Sequence, residues 1–100
     1  MDKKREKQIE AAILWAVAAK SPDADAICTV LESMPRRYQD IFFDRVIKRE
    51  KWSKIGAKHH YSDRQLRRIL LDAFCYLDKE LTKARSCGLI STETWWKYFN

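Results

Sequence analysis

WSKIGAKHHYSDRQLRRILLDAFCYL, running from Trp52 to Leu77, decides how this chain folds. Trp52, Ile55 and Ala57 fit a brief helix opened by Lys51–Ser53, and a turn follows at His59-His60-Tyr61. Ser62 then caps a longer helix, its hydroxyl satisfying an otherwise orphaned N–H. At about 100° per residue, Leu66, Ile69, Leu70, Ala73 and Leu77 fall on one face of that helix, and Leu81 extends the stripe. Arg64, Arg68, Leu71 and Cys75 point the opposite way, with Arg67 on the flank. Gly88 is a natural stop. A short helix, a tight turn with a buried aromatic, a Ser cap and an arginine-studded helix are the parts of a helix-turn-helix, placed at about 52–78.

The pattern upstream is also helical. Ile9, Ala12, Ile13, Ala16 and Val17 follow the i, i+3, i+4, i+7, i+8 spacing of an amphipathic helix. Ser21-Pro22-Asp23 breaks it, with Ser21 placed to cap the next helix and Pro22 at its first position. Ala26, Ile27, Val30, Leu31 and Met34 give a short second helix, and Ser33 with Pro35 repeats the stop-and-restart signal. Tyr38, Ile41, Phe42, Val46 and Ile47 then give a third, ending near Lys48–Glu50. The expected fold is a single all-α domain over 1–100 with about five helices. The helices of 3–34 and an aromatic tail at 89–100 are accessory to the helix-turn-helix.

Composition agrees. One hundred residues is one domain's worth, and 46% apolar with 34% charged is a globular balance. Only two Gly and two Pro argue against a sandwich, a barrel or a Gly-rich nucleotide fold. The longest wholly apolar run, Ala11 to Ala19, is far short of the ~20 residues that span a bilayer. That run is short, and Asp2, Glu6 and Glu10 precede it, so no signal peptide is read and a cytoplasmic location is expected. Cys28, Cys75 and Cys87 are odd in number and form no C-x-x-C pair, which points to a reducing compartment and no zinc knuckle. The adjacent His59 and His60 diverge, so no metal is expected. There is no phosphate loop, G-x-S-x-G or H-E-x-x-H, and Cys75 with His59 has no oxyanion partner. The chain therefore reads as a non-enzyme without a cofactor.

Charge is unevenly spread. Arg45, Lys48, Arg49, Lys51, Lys54, Lys58, Arg64, Arg67 and Arg68 face only Glu50 and Asp63 within 45–68, a local balance of +7 in a chain of net +6. A concentrated basic patch suits a polyanion, of which nucleic acid is the commonest. The alternative is a solvated face whose arginines pair with Asp63 or Asp72.

Residues 31–81 also resemble the DNA-binding region four of bacterial sigma factors and the sigma-like regulators of phages. Leu31-Glu-Ser-Met-Pro-Arg-Arg-Tyr-Gln-Asp-Ile-Phe leads in; Trp52, Ile55 and Gly56 match the family's first helix, and Tyr61-Ser62 its turn. Arg64, Leu66, Arg68-Ile69, Ala73 and Leu77 match the second helix. The family often has Gly where His60 stands, because the turn needs positive φ; His tolerates that better than most residues. The resemblance implies sequence-specific binding of double-stranded DNA by a phage or prophage transcription regulator.

Geometry then assigns contacts. Arg64, Arg67, Arg68 and Gln65 are placed for base edges, arginine suiting guanine and glutamine adenine. Lys54, Lys58, His59, His60 and Ser62 are placed for phosphates. Trp52 and Tyr61 read as core. Leu71, Trp95, Trp96, Tyr98 and Phe99 either pack internally or form an interface, as a homodimer or on a protein partner. Two other functions remain open at this point. One is a module that binds RNA polymerase or another protein through the aromatic tail and basic face. The other is the DNA-recognition subunit of a phage terminase.

Overall fold

The computed structural model describes residues 2–20 and 22–90. Among these residues the fold is all-helical: α1 (Lys3–Ala18), α2 (Ala24–Ser33), α3 (Arg36–Phe42), α4 (Trp52–His59) and α5 (Asp63–Ser86). A single π-helical turn, Phe43–Ile47, extends α3. No helix among the described residues is long and apolar enough to cross a membrane.

Local chemistry sets the helix starts. Asp2 caps α1, its carboxylate accepting the Lys4 N–H at 3.1 Å. The second helix begins at Ala24 with Asp23 as N-cap, so Pro22 precedes the helix instead of opening it. The expected cap, Ser21, lies outside the described residues. Two positions read as apolar stripe face out. Val17 is exposed because α1 ends one residue later and its last turn stands open. Ala57 is exposed because α4 buries the side that carries Ile55, not Ala57.

The interior divides into two clusters joined along α5, whose 24 residues make it the spine. The larger holds Ile9 and Ile13 of α1, Ile27 and Leu31 of α2, Phe42, and Phe74, Leu77 and Leu81 of α5. Phe74, which stripe counting passes over, meets Phe42 edge-on with centroids 5.6 Å apart. The smaller holds Ile41, Ile55, Leu66 and Ile69, flanked by Trp52 and Tyr61. Both aromatics, read from the sequence as core, are partly buried and pack against this cluster from its edge. Leu70 and Tyr38 border both clusters, tying the α4–α5 pair to the rest of the bundle.

The α4–α5 connection is three residues long. His60 sits in the left-handed region at φ 60° and ψ 41°, so the positive φ expected there is present without glycine. The chain then doubles back, and the Tyr61 N–H donates to the Gly56 carbonyl at 3.2 Å. A Cβ on Gly56 would lie 2.9 Å from the Tyr61 carbonyl oxygen, so this position admits only glycine without a backbone shift. At the far end of α5, Gly88 (φ 78°) closes a Schellman turn. There Gly88 N–H bonds the Arg85 carbonyl at 3.0 Å and Leu89 N–H bonds the Ala84 carbonyl at 2.9 Å.

The turn makes opposite predictions at its two key positions. Gly56→Ala should cost about 1–3 kcal/mol through the forced backbone contact. His60→Gly should be neutral or stabilising, since it relieves an unfavourable left-handed residue. Thermal melts followed by circular dichroism check both; an unchanged midpoint for Gly56→Ala would mean the turn is not closed in this way.

Candidate nucleic-acid interface

The first two turns of α5 carry Arg64, Gln65, Arg67 and Arg68, all exposed. Leu66 and Ile69, fully or almost fully buried, anchor the opposite face against Ile41 and Ile55. The arginines are thus held out by a fixed hydrophobic seam. None of the three pairs with a described acid, Asp63 and Asp72 included. The ion pairs with Asp63 or Asp72 that a solvated, self-neutralised face would hold are absent among the described residues, although the arginines are exposed to solvent.

Gln65 has a different commitment. The Ser62 N–H donates to its Oε1 at 2.9 Å and the Ser62 hydroxyl at 3.1 Å, while the Gln65 N–H donates to Ser62 Oγ at 3.3 Å. This capping box pins the start of α5 and occupies the amide oxygen that bidentate contact with adenine requires. Ser62 is correspondingly engaged, although it remains exposed. His60 is exposed at the apex of the turn, and Lys54 reaches Glu50 at 3.7 Å.

Lys58 and His59 converge on a residue that charge counting missed. Asp44, 4% exposed, lies in the π-helical turn. His59 Nε2 is 2.7 Å from its Oδ2, Lys58 Nζ is 3.3 Å from both oxygens, and Lys48 Nζ is 3.7 Å from Oδ1. Burial alone would raise the Asp44 pKa. The hydrogen bonds and charges of His59 and Lys58 outweigh it and hold the carboxyl below the usual carboxylate range. Val46, two residues on, faces the main core while Asp44 faces α4, so the turn is buried on both sides. Asp44 was visible as a lone acid within Ile41-Phe-Phe-Asp-Arg-Val-Ile47, but its partner stands 15 residues away.

Arg45 completes the junction. Its guanidinium stacks 4.4 Å from the Trp52 ring centroid and donates from Nη1 to the Glu50 carbonyl at 3.1 Å. Leu71 is exposed on α5. Trp95, Trp96, Tyr98 and Phe99 lie outside the described residues. No metal-ligating group of three or more side chains occurs among the described residues. No model of a known protein family, no curated protein and no solved structure matches this chain.

The Asp44 junction makes stability depend on pH. A carboxyl whose folded pKa lies below its unfolded value stabilises at neutral pH, and that contribution is lost as pH falls through about 4 and onward to the folded pKa. Asp44→Asn should cost about 1–3 kcal/mol at pH 7, between an exposed pair and a fully buried one. Melting curves of the two proteins should converge as the pH drops below 4. Parallel loss of stability in acid would show that Asp44 is not the group responsible.

Proposed function

We propose that the chain binds double-stranded DNA in a sequence-specific manner, with the start of α5 entering the major groove. One observation carries the reading: Arg64, Arg67 and Arg68 project from the first turns of a rigidly capped helix and pair with no described acid. Charge held unpaired at a fixed helix start is what groove reading requires, since arginine contacts guanine O6 and N7 bidentately. The left-handed turn and the glycine-closed contact beneath it support the helix-turn-helix interpretation and the resemblance to sigma region four.

In this reading Arg64, Arg67 and Arg68 read bases, while Lys54 and His60 contact phosphates beside them. Gln65 and Ser62 act first as the cap, and Ser62 adds a phosphate contact from its exposed position. Lys58 and His59 act chiefly through Asp44, which they hold, and so position α4. The protein is then a transcription regulator of phage type that works in the cytoplasm and needs no cofactor or catalytic group. A terminase DNA-recognition subunit would use the same surface.

Fluorescence anisotropy with a labelled random-sequence duplex over a salt series tests this. The wild type should bind with a dissociation constant of about 1–100 μM near physiological salt and weaken steeply as salt rises. Arg64→Ala/Arg68→Ala should bind at least about tenfold more weakly at low salt. Absence of binding by the wild type at low salt would overturn the DNA reading, and Trp95 and Trp96 would become the places to seek a protein contact.

A further inference from the structure

An open groove of about 610 Å³ separates the first turns of α1 from the middle of α5. Its apolar lining is Trp52, Leu70, Leu71 and Phe74. Four cations line it, Lys3 and Lys7 from α1 together with Arg45 and Arg67, against two acids, Glu6 and Glu10. Arg67 belongs at once to this groove and to the arginine face of α5. The groove is therefore continuous with the candidate interface.

The position of α1 is fixed. Arg5 donates to Asp78 from Nε at 2.9 Å and from Nη2 at 2.7 Å, across 73 residues of sequence. Arg67, Leu71, Phe74 and Asp78 recur at helical spacing along one stripe of α5. With Arg5 held at one end of that stripe, Lys3 and Lys7 line the groove that Arg67 bounds at the other. Lys3 and Lys7 are exposed and one turn apart, about 5–6 Å between Cβ atoms, and neither pairs with a described acid. Two flexible ammonium groups at that spacing suit neighbouring phosphates, where lysine acts as a point charge without reading bases.

We infer that the DNA-binding surface continues across this groove onto α1, where Lys3 and Lys7 hold the phosphate backbone beside the segment contacted by α5. The inference rests on the DNA reading above and gives the N-terminal helix a part in binding. Its ligand is the sugar-phosphate backbone of duplex DNA. Glu6 and Glu10, half-buried in the same groove, oppose that contact and set its strength.

The test uses the full chain, a random-sequence 20-base-pair duplex and anisotropy from low to moderate salt. Lys3→Ala/Lys7→Ala should weaken binding about 5- to 30-fold at the lowest salt and reduce the slope of log K against log salt by about 2, at ~0.9 per phosphate released. Glu6→Gln/Glu10→Gln should strengthen binding several-fold. Lys79→Ala/Lys83→Ala removes the same charge from exposed positions further along α5 and should leave the slope near the wild-type value. A wild type that binds while Lys3→Ala/Lys7→Ala keeps its full slope overturns the α1 contact and leaves the DNA reading standing. An equal loss in the Lys79→Ala/Lys83→Ala control also overturns it, because net charge alone would then explain the effect. A wild type that binds no DNA overturns both.

Discussion

The 2.9 Å approach between a would-be Cβ at Gly56 and the Tyr61 carbonyl is the constraint on which the arrangement of this protein depends. A three-residue connection leaves the chain no room to swing wide, so it reverses by placing His60 in the left-handed region and folding Tyr61 back over α4. That reversal seats Tyr61 beside Ile55 and Leu66 and delivers Ser62 to the cap. Everything α5 presents to solvent follows, because a helix with its start capped and one face buried has little freedom to rotate. The exposed arginines owe their placement to a glycine three residues from the end of α4.

The second cost lies at Asp44. Burying a carboxylate is unfavourable unless its lone pairs are met, and here they are met by two side chains from the last turn of α4 and one from the end of the π-helical turn. The ion cluster joins α3 to α4 where the apolar clusters alone leave a polar seam. The Arg45–Trp52 stack and the Arg45 bond to the Glu50 carbonyl fasten the start of α4 in a similar way. Both ends of α4 are therefore tied to the segment that precedes it. Its register beneath α5 is set by polar contacts as well as by Ile55.

Much of this was legible in the sequence because it depends on near neighbours. Helical spacing at Leu66, Ile69, Ala73 and Leu77, the Ser62 cap and the Gly88 stop are all local rules, and each feature is present, as is the positive φ at His60 that the family resemblance implied. The misses are of two kinds. Val17 and Ala57 satisfy an apolar pattern yet lie where no neighbour arrives, which periodicity cannot reveal. Asp44, Phe74 and the groove beneath α1 depend on residues brought together from 15 to more than 60 positions apart. Pattern reading has no term for such meetings.

The same distinction applies to charge. Nine basic residues between Arg45 and Arg68 read as one patch, but the fold divides them by their partners. Lys48 and Lys58 are drawn onto Asp44, Lys54 onto Glu50, and Arg45 onto an indole and a carbonyl. These groups hold α3 and α4 together, and much of their charge is already answered by protein. Among the described residues Arg64, Arg67 and Arg68 have no such partner, so no described pair would have to break for them to meet a polyanion. A residue count therefore overstates the area of a basic surface and understates its focus. Arg49 and Lys51, on the link before α4, also pair with no described acid, but the three arginines gathered on one surface are carried by the helix whose start the turn most strictly defines.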